Sequence, residues 1–172
     1  MKNIKIISLI IGILIVLLCG LFYKKAIQES ASFSSSFNIH KLTDKEYEEV
    51  GVSGLDNPIK DDFRKVEIKV AMQHTHKIKN RKIIVPTMVE LKNAINSYDM
   101  ERYWFGNSSE EDNENTNSTE YVFEFIFYSK GLEDNDIEML FSDLEISASW
   151  LDPYGNIQKE NYLLNDIICF TY

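Results

Sequence analysis

The first feature of the chain is an uninterrupted run of apolar and small residues near its start. Residues 6–23 form a stretch of 18 residues without a charged side chain. As a helix this stretch would be about 27 Å long, which is enough to cross the hydrocarbon core of a bilayer. Two lysines precede it and two follow it. The pattern predicts a signal-anchor over residues 1–25, which contacts the membrane through residues 6–23.

Cleavage and lipidation are the alternatives to a retained anchor. A secretory signal peptide has a shorter apolar core and a small-residue cleavage site, and the nearest such site, at residues 30–32, lies beyond the lysines. Lipidation at Cys19 would require a small residue directly before the cysteine, where the chain has Leu18. The flanking lysines are balanced, but the α-amino group and Glu29 tip the count of charges towards an inside N-terminus. The short N-terminal tail also favours placing the rest of the chain outside the cytoplasmic membrane.

Residues 26–61 show no sustained apolar pattern and are predicted to form a polar stalk and linker. Their first part is rich in serine. A short helix is expected over Lys41–Val50, with Thr43 or Asp44 as its cap, and turn-forming residues follow it. The compact domain is therefore expected over residues 62–172.

Alternating apolar and polar positions predict the first strands of this domain. Val66, Ile68, Val70 and Met72 recur at every second position, which is the period of a strand with one buried face. Ile78–Val85 is expected to form the next strand, and the proline that follows it ends the pairing.

Two short helices are expected in the domain. Thr87 and Glu90 have the spacing of a capping box, and apolar residues follow at helical intervals as far as Tyr98. The second helix is expected to begin at Asn135, which has Glu138 three residues further on.

The segment between the two helices contains a polar stretch and the most aromatic part of the chain. Glu101–Phe105 predicts a short strand. Gly106–Glu120 has no apolar residue to anchor it and is expected to be a mobile loop. Tyr121–Ser129 predicts a strong strand with apolar residues on both faces, which indicates a central position with a layer over each face.

The C-terminal part of the chain predicts a hairpin. Ile146–Leu151 and Ile157–Leu164 flank the sequence Asp-Pro-Tyr-Gly-Asn, which is typical of a turn. Ile168–Tyr172 is expected to add a last strand. The complete pattern predicts an α+β fold: a single-pass N-terminal transmembrane helix, then a small domain with an antiparallel sheet and two short helices.

The net charge is more negative when residues 26–172 are counted without the predicted anchor. The whole chain has 18 basic and 27 acidic residues, and all of the acids lie in residues 26–172, where 14 bases leave a net charge of −13. Such a domain is poorly suited to nucleic acid, because phosphate binding requires a basic face. It favours a basic protein partner.

His74 and His76 are the candidate metal ligands. On a strand, residues two apart face the same way, so both imidazoles could bind one Zn²⁺. A zinc site needs a further ligand, and the other histidine, His40, lies in the predicted stalk. The sequence therefore favours two histidines at the end of a strand over a metal site, and no cofactor is expected.

The aromatic strand is the candidate binding surface. If one of its faces is uncovered, it would present an apolar patch that is suited to binding a protein. The candidate residues are Tyr121, Phe123, Phe125, Phe127 and Tyr128.

These features together predict a membrane-anchored, non-enzymatic binding protein on the extracytoplasmic side of a bacterial cell membrane. Within this class, an immunity-type protein that sequesters a secreted protein or toxin has the same layout of anchor, stalk and acidic domain. Two alternatives are a cell-envelope hydrolase with a metal site at His74 and His76, and an accessory subunit of a membrane complex.

Overall fold

A computed structural model of the chain describes residues 12–20, 31–99, 101–113 and 116–172. Residues 12–20 are helical. No helix among the described residues has both the length and the apolar character of a membrane span. The predicted anchor extends over residues 6–23, so both of its ends lie outside the described residues.

The rest of the described chain consists of strands with three short α-helices between them. The strands are β1 Ser32–Lys41, β2 Phe63–Gln73, β3 Lys79–Ile84, β4 Tyr103–Asp112, β5 Ser118–Tyr128, β6 Glu145–Leu151, β7 Ile157–Leu163 and β8 Ile168–Thr171. The α-helices are α1 Asp44–Val50, α2 Met88–Asn96 and α3 Asp134–Leu140, and 3₁₀ turns occupy Lys60–Asp62 and Leu164–Ile167.

The strands form two sheets. One has five strands in the order β4-β5-β2-β1-β8, and the other has three in the order β3-β6-β7. Neighbouring strands are antiparallel, except that β8 pairs with β1 in parallel. The predicted α+β domain with mainly antiparallel pairing is therefore confirmed, but the prediction of one antiparallel sheet is wrong, because the strands form two sheets and the larger one includes a parallel pair.

The main core lies between the five-stranded sheet and a second layer that consists of the three-stranded sheet, α2 and α3. Each layer contributes the apolar residues of one face, as strand and helix periodicity require. The buried side chains of this core are Phe37, Ile39, Val66, Ile68, Val70, Leu91, Ile95, Tyr121, Phe123, Phe125, Phe127, Ile137, Phe141, Ile146 and Leu164.

A smaller apolar cluster covers part of the opposite face of the five-stranded sheet. Phe63 and Tyr128 pack there with residues of α1 and of the segment that follows it. Trp104 fixes this segment, since its Nε1 donates a hydrogen bond to the carbonyl oxygen of Val50 at 2.6 Å. Apolar residues on both faces of β5 are thus explained by two covering layers.

The prediction of a polar stalk is wrong for residues 32–41, which form β1 between β2 and β8. Phe37 and Ile39 on this strand are 0% exposed. Serines occupy the positions of β1 that face away from the core, and Ser35 also interrupts the inward-facing series. The apolar alternation was too incomplete to indicate a strand from the sequence.

The prediction of a mobile loop over Gly106–Glu120 is also wrong for most of that range. β4 continues to Asp112 and β5 begins at Ser118, with Asp112 opposite Thr119 in the ladder. β4 is an edge strand whose residues from Phe105 onward are exposed, so its polar composition reflects its position rather than a lack of structure.

Two of the three helix N-caps lie where the sequence predicts them. The amide of Glu90 donates to the Thr87 hydroxyl at 3.2 Å, as predicted, and Thr43 caps α1 in the same way. The predicted cap at Asn135 is wrong: Glu133 is the N-cap of α3, and its amide donates to Asp136 at 2.9 Å.

Candidate functional site

His74 lies just beyond the end of β2, and His76 lies in the turn that leads to β3. The Nε2 atom of His74 lies 2.9 Å from Nη1 of Arg81, and its Nδ1 lies 2.8 Å from the carbonyl oxygen of Thr75. A guanidinium only donates hydrogen bonds, so Nε2 accepts and Nδ1 carries the proton. Both ring nitrogens of His74 are therefore engaged.

The strand geometry that would align the two histidines is missing, because β2 ends at Gln73. His76 is exposed. In the part of the chain that the structure describes, no three His, Cys, Asp or Glu side chains form a group that could hold a metal ion. The structure thus supplies no third ligand for these histidines.

Arg81 joins the two sheets through a cluster of polar side chains, here named the Arg81 cluster: His74, Arg81, Asp112, Thr119 and Tyr121. Nη2 of Arg81 donates to Oδ1 of Asp112, and the Arg81 side chain is 9% exposed. Oδ1 of Asp112 also accepts from the Thr119 hydroxyl at 3.2 Å, and Oδ2 accepts from the Tyr121 hydroxyl at 2.6 Å.

Within the Arg81 cluster, burial and hydrogen bonding keep the Tyr121 hydroxyl protonated. Burial and the hydrogen bond to Asp112 raise the pKa of Tyr121 well above its ordinary value of 10.0, so the phenol stays protonated and donates. A cavity of about 250 Å³ adjoins the cluster and is lined by His74, Ile78, Asn80 and Arg81. Because both sides of Arg81 and both nitrogens of His74 are occupied, the cluster acts as a tie between the sheets.

The aromatic residues predicted to form a binding patch belong to the core instead. Phe125 and Phe127 are 1% and 0% exposed, and the other three are each at most 7% exposed. Tyr128 lies under the smaller cluster, where its ring packs against Phe63 at a centroid distance of 5.3 Å. The predicted residues therefore form no exposed apolar patch, although some of them line cavities beside the sheet.

An uncovered edge of the five-stranded sheet is β4, the strand next to β5. This strand is the outermost of the five-stranded sheet and is 10 residues long. Only indirect signals in the sequence point to this strand: its aromatic start at Tyr103–Phe105, and the need of the strong β5 strand for a second neighbour. Its remaining residues are polar and indistinguishable from a loop by periodicity.

Hydrogen bonds at the ends of the β2–β5 ladder show which backbone groups of β5 face β4. The amide of His74 donates to the carbonyl of Asn117 at 2.8 Å, and that of Ser129 donates to Asp62 at 2.7 Å. Bonded and non-bonded pairs alternate along an antiparallel ladder. The odd-numbered residues of β5 therefore bond to β2, and the even-numbered ones bond to β4.

The register then identifies the free backbone groups of β4. Ser109 lies opposite Val122 and Asn107 lies opposite Glu124, so the odd-numbered residues of β4 from Phe105 onward, after the register shift of this strand, bond to β5. The even-numbered residues direct their amide and carbonyl groups away from the sheet. Ser108 is the central one of these, and Gly106 lies two residues before it.

Two cavities lie beside β4, one on each face of the sheet. The cavity on the core side has a volume of about 210 Å³, and the cavity on the opposite side has a volume of about 220 Å³. The first is lined by Val85, Pro86, Thr87, Met88, Ser108, Ser109, Glu110, Tyr121 and Phe123. The second is lined by Lys65, Phe105, Gly106, Asn107, Glu124, Phe125 and Ile126.

The negative charge of the domain is displayed on its surface. Asp62, at 8% exposure, is the one buried carboxylate among the described residues. Residues 131–158 contain seven acidic residues and no basic residue. Glu110 and Glu111 extend this acidic character to the edge strand, where both are exposed.

The chain matches no known family model, no curated protein and no solved structure. Its function is therefore argued from the geometry and the charge of its own residues.

Proposed function

We propose that this protein is a membrane-anchored, non-enzymatic binding protein of the immunity type, which sequesters a basic secreted protein or toxin at the cell surface. Residues 6–23 would hold it in the membrane, with the acidic domain outside the cytoplasm. The observation that carries this proposal is the placement of charge: a net charge of −13 over residues 26–172, with Asp62 as the one buried carboxylate of the described residues.

Surface charge of one sign acts on a partner before contact. Such a field raises the rate of encounter with an oppositely charged protein and repels anionic molecules. An acidic domain at an anionic cell surface would therefore remain extended from that surface and attract basic proteins that approach it.

The alternative hydrolase gains no support from the candidate metal ligands. It depended on His74 and His76, and the ring of His74 is engaged by Arg81 and by the Thr75 carbonyl. General acid or base chemistry at Asp112 would require a free carboxylate, whereas this group already accepts from three side chains.

The protective role is tested by deleting the gene. We expect the deletion strain to become sensitive to an exported basic toxin of a neighbouring strain, and expression of the full chain to restore survival. Equal survival of both strains against every toxin producer tested would contradict the role.

Charge-driven capture is tested with a charge-reversed variant of the full chain in lipid nanodiscs. Replacement of Glu138, Asp143 and Glu145 by lysine should lower the association rate with a basic secreted protein about tenfold at low ionic strength. The difference should disappear at high salt. A control in which the same residues exchange Asp for Glu keeps the charge and should bind like the wild type.

Topology is tested with the cysteine near the C-terminus. Cys169 is exposed on β8, so a membrane-impermeant maleimide should label it on intact cells as fully as after lysis. Cys169→Ser should remove this label, and Cys19→Ser should retain it. Labelling of Cys169 only after lysis would place the domain inside and contradict the proposal.

A further inference from the structure

We infer that β4 is a docking edge, to which an extended basic segment of the partner protein is added as a sixth strand of the five-stranded sheet. This inference rests on the proposed function and names the surface that would perform it. Strand addition uses the backbone of an exposed edge for affinity and uses pockets for alternate side chains for specificity.

The backbone of β4 offers a continuous row of groups for such pairing. Gly106, Ser108 and Glu110 direct their amide and carbonyl groups away from β5, as the ladder alternation requires. All three residues are exposed. No other strand lies outside β4 in the described part of the chain.

The two cavities give the edge a place for side chains on both faces of an added strand. Side chains on the core side would enter the cavity of about 210 Å³, whose apolar lining includes Val85, Met88 and Phe123. On the other face, side chains would lie beside Phe105 of β4, at the rim of a cavity of about 220 Å³ that extends over β5 to Lys65 of β2. The alternation of a strand matches these two positions.

Charge selects a basic occupant for this edge. Glu110 and Glu111 are exposed on β4, and Glu124 lines the outer cavity. A second copy of the chain would bring another net charge of −13 against these carboxylates, which disfavours pairing of two β4 strands. Lysine or arginine side chains on the outer face would instead pair with Glu111 and Glu124, while Glu110 lines the cavity on the core side.

The other three sheet edges lack this combination. β8 has four residues. β3 has six residues, and its register shift between Lys79 and Lys82 takes up the first half of the strand, whereas the register shift of β4 lies between Tyr103 and Phe105, before the outward-facing residues that begin at Gly106. β7 is a regular seven-residue edge, but neither cavity beside β4 includes any of its residues. β7 therefore serves as the matched control edge.

The control position on β7 follows from its own ladder. The amide of Asp152 donates to the carbonyl of Asn156 at 2.9 Å, and that of Leu164 donates to Leu144 at 2.8 Å. These bonded pairs place the odd-numbered residues of β7 with their backbone groups outward. Asn161 on β7 is thus the counterpart of Ser108 on β4.

The first experiment measures binding of a fluorescent eight-residue peptide of alternating lysine and valine to the full chain in nanodiscs. Ser108→Pro removes one outward-facing amide but no hydrogen bond between β4 and β5, and edge strands tolerate a proline at such a position. The substitution should weaken binding of the peptide at least tenfold. Asn161→Pro should bind like the wild type. Circular dichroism should show that both variants are folded.

The second experiment changes the peptide and leaves the protein intact. Two peptides are methylated on alternate amides, one on the valines and the other on the lysines. An added strand directs alternate amides towards its neighbour, so one peptide should retain binding and the other should lose it at least tenfold. Equal affinity of the two peptides would overturn strand addition even if Ser108→Pro fails to fold.

The third experiment tests the charge at the edge. Glu110→Gln with Glu111→Gln should weaken binding of the lysine–valine peptide several-fold at low salt, while Glu160→Gln on β7 should not. Unchanged binding in the β4 double variant would overturn the charge selection. A dimer of the wild type that Ser108→Pro dissociates would assign the edge to a second copy and overturn the inference.

The outcomes separate this inference from the proposed function. If the full chain captures a basic toxin and Ser108→Pro captures it equally well, the docking edge is wrong and the binding function stands. If wild-type cells gain no protection and the protein captures no basic secreted protein, the proposed function fails, whatever the peptide experiments give.

Discussion

The two hairpins of the domain hold their tips in different ways. In the hairpin β6–β7, the side chain of Asp152 accepts hydrogen bonds from two turn amides, of Tyr154 and Asn156, at 2.9 and 2.8 Å. In the hairpin β4–β5, the tip is held at Asp112 by Arg81, which comes from the other sheet. The first tip is held by hydrogen bonds within its own turn. The second combines a local turn, in which the amide and hydroxyl of Thr116 donate to the carbonyl oxygen of Asn113, with a hydrogen bond from a residue 31 positions away.

This difference shows which hairpin depends on the rest of the fold. A turn stabilised by residues within a few positions loses little chain entropy when it forms. The β4–β5 hairpin gains the hydrogen bond from Arg81 to Asp112 only when β3 is in place beside it. The exposed edge of β4 is therefore positioned by the packing of the two sheets on each other.

The largest expected loss of stability comes from substituting a glycine of the β4–β5 hairpin, and a glycine of the β6–β7 hairpin provides the comparison. A Cβ at Gly106 would lie 2.3 Å from Cβ of Phe125 and 2.4 Å from the carbonyl oxygen of Glu124, so Gly106→Ala should destabilise the domain by about 3 kcal/mol. Gly155 has a φ of 84° and open space around it, so Gly155→Ala should cost only about 1 kcal/mol.

Denaturant unfolding of the full chain in detergent, followed by tryptophan fluorescence, measures both losses. The strand glycine is costlier because the clash is with backbone atoms of β5, which can move only if β4 separates from it. Equal losses for the two variants would show that β4 is not held closely against β5.

The second effect concerns the tie between the sheets. Arg81→Met should destabilise the domain by about 2 kcal/mol, because it leaves Asp112 partly buried without its cation. Lys69→Met removes an exposed ion pair to Glu120 and should cost less than about 1 kcal/mol. Hydrogen exchange of β4 amides should rise in the Arg81 variant and remain unchanged in the Lys69 variant. A uniform rise over all strands would contradict a local tie.

The sequence predicted those elements whose signals are local or which bury one complete face. β2 shows unbroken alternation from Val66 to Met72, α2 begins at a capping box, and the β6–β7 turn contains Pro153 and Gly155. Each of these signals acts within a few residues. They were sufficient for most strands, for α2 and for the α+β class.

The sequence could not predict the features that depend on distant neighbours. β1 and β4 each direct polar residues to solvent, and their strand character comes from pairing with β2 and β5. Parallel pairing of β8 with β1 joins the two ends of the domain, which no local pattern indicates. No local pattern indicates the role of Arg81, because its partners His74 and Asp112 are brought to it by packing.

The third effect tests the protonation state within the Arg81 cluster. Tyr121→Phe removes the bond to Asp112 and should cost about 1.5 kcal/mol at neutral pH. Because the folded state raises the pKa of Tyr121 above 10.0, the bond stabilises the fold fully below pH 10 and is lost as pH rises through the raised value. The difference in free energy of unfolding between the wild type and Tyr121→Phe should therefore become smaller in alkaline solution.

A matched control for Tyr121 is the exposed tyrosine of β7. The Tyr162 hydroxyl donates to Glu160 at 3.0 Å on the surface, so Tyr162→Phe should change the free energy of unfolding less. If both tyrosine variants lose the same stability, the burial of the Arg81 cluster contributes nothing to the tie.

The smallest expected change in stability concerns the turn between β6 and β7. Hydrogen bonds from Asn156, Tyr154 and Gln158 lower the pKa of Asp152 below its ordinary 3.8, so the charged carboxylate stabilises the turn above that pH. This contribution is lost as pH falls through the lowered value. Asp152→Asn should be slightly less stable than wild type at neutral pH and equal to it in strong acid. Gly155→Ala changes no titrating group, so its loss of unfolding free energy relative to the wild type should not depend on pH. If the losses of both variants depended on pH in the same way, Asp152 would not be the group that stabilises the turn.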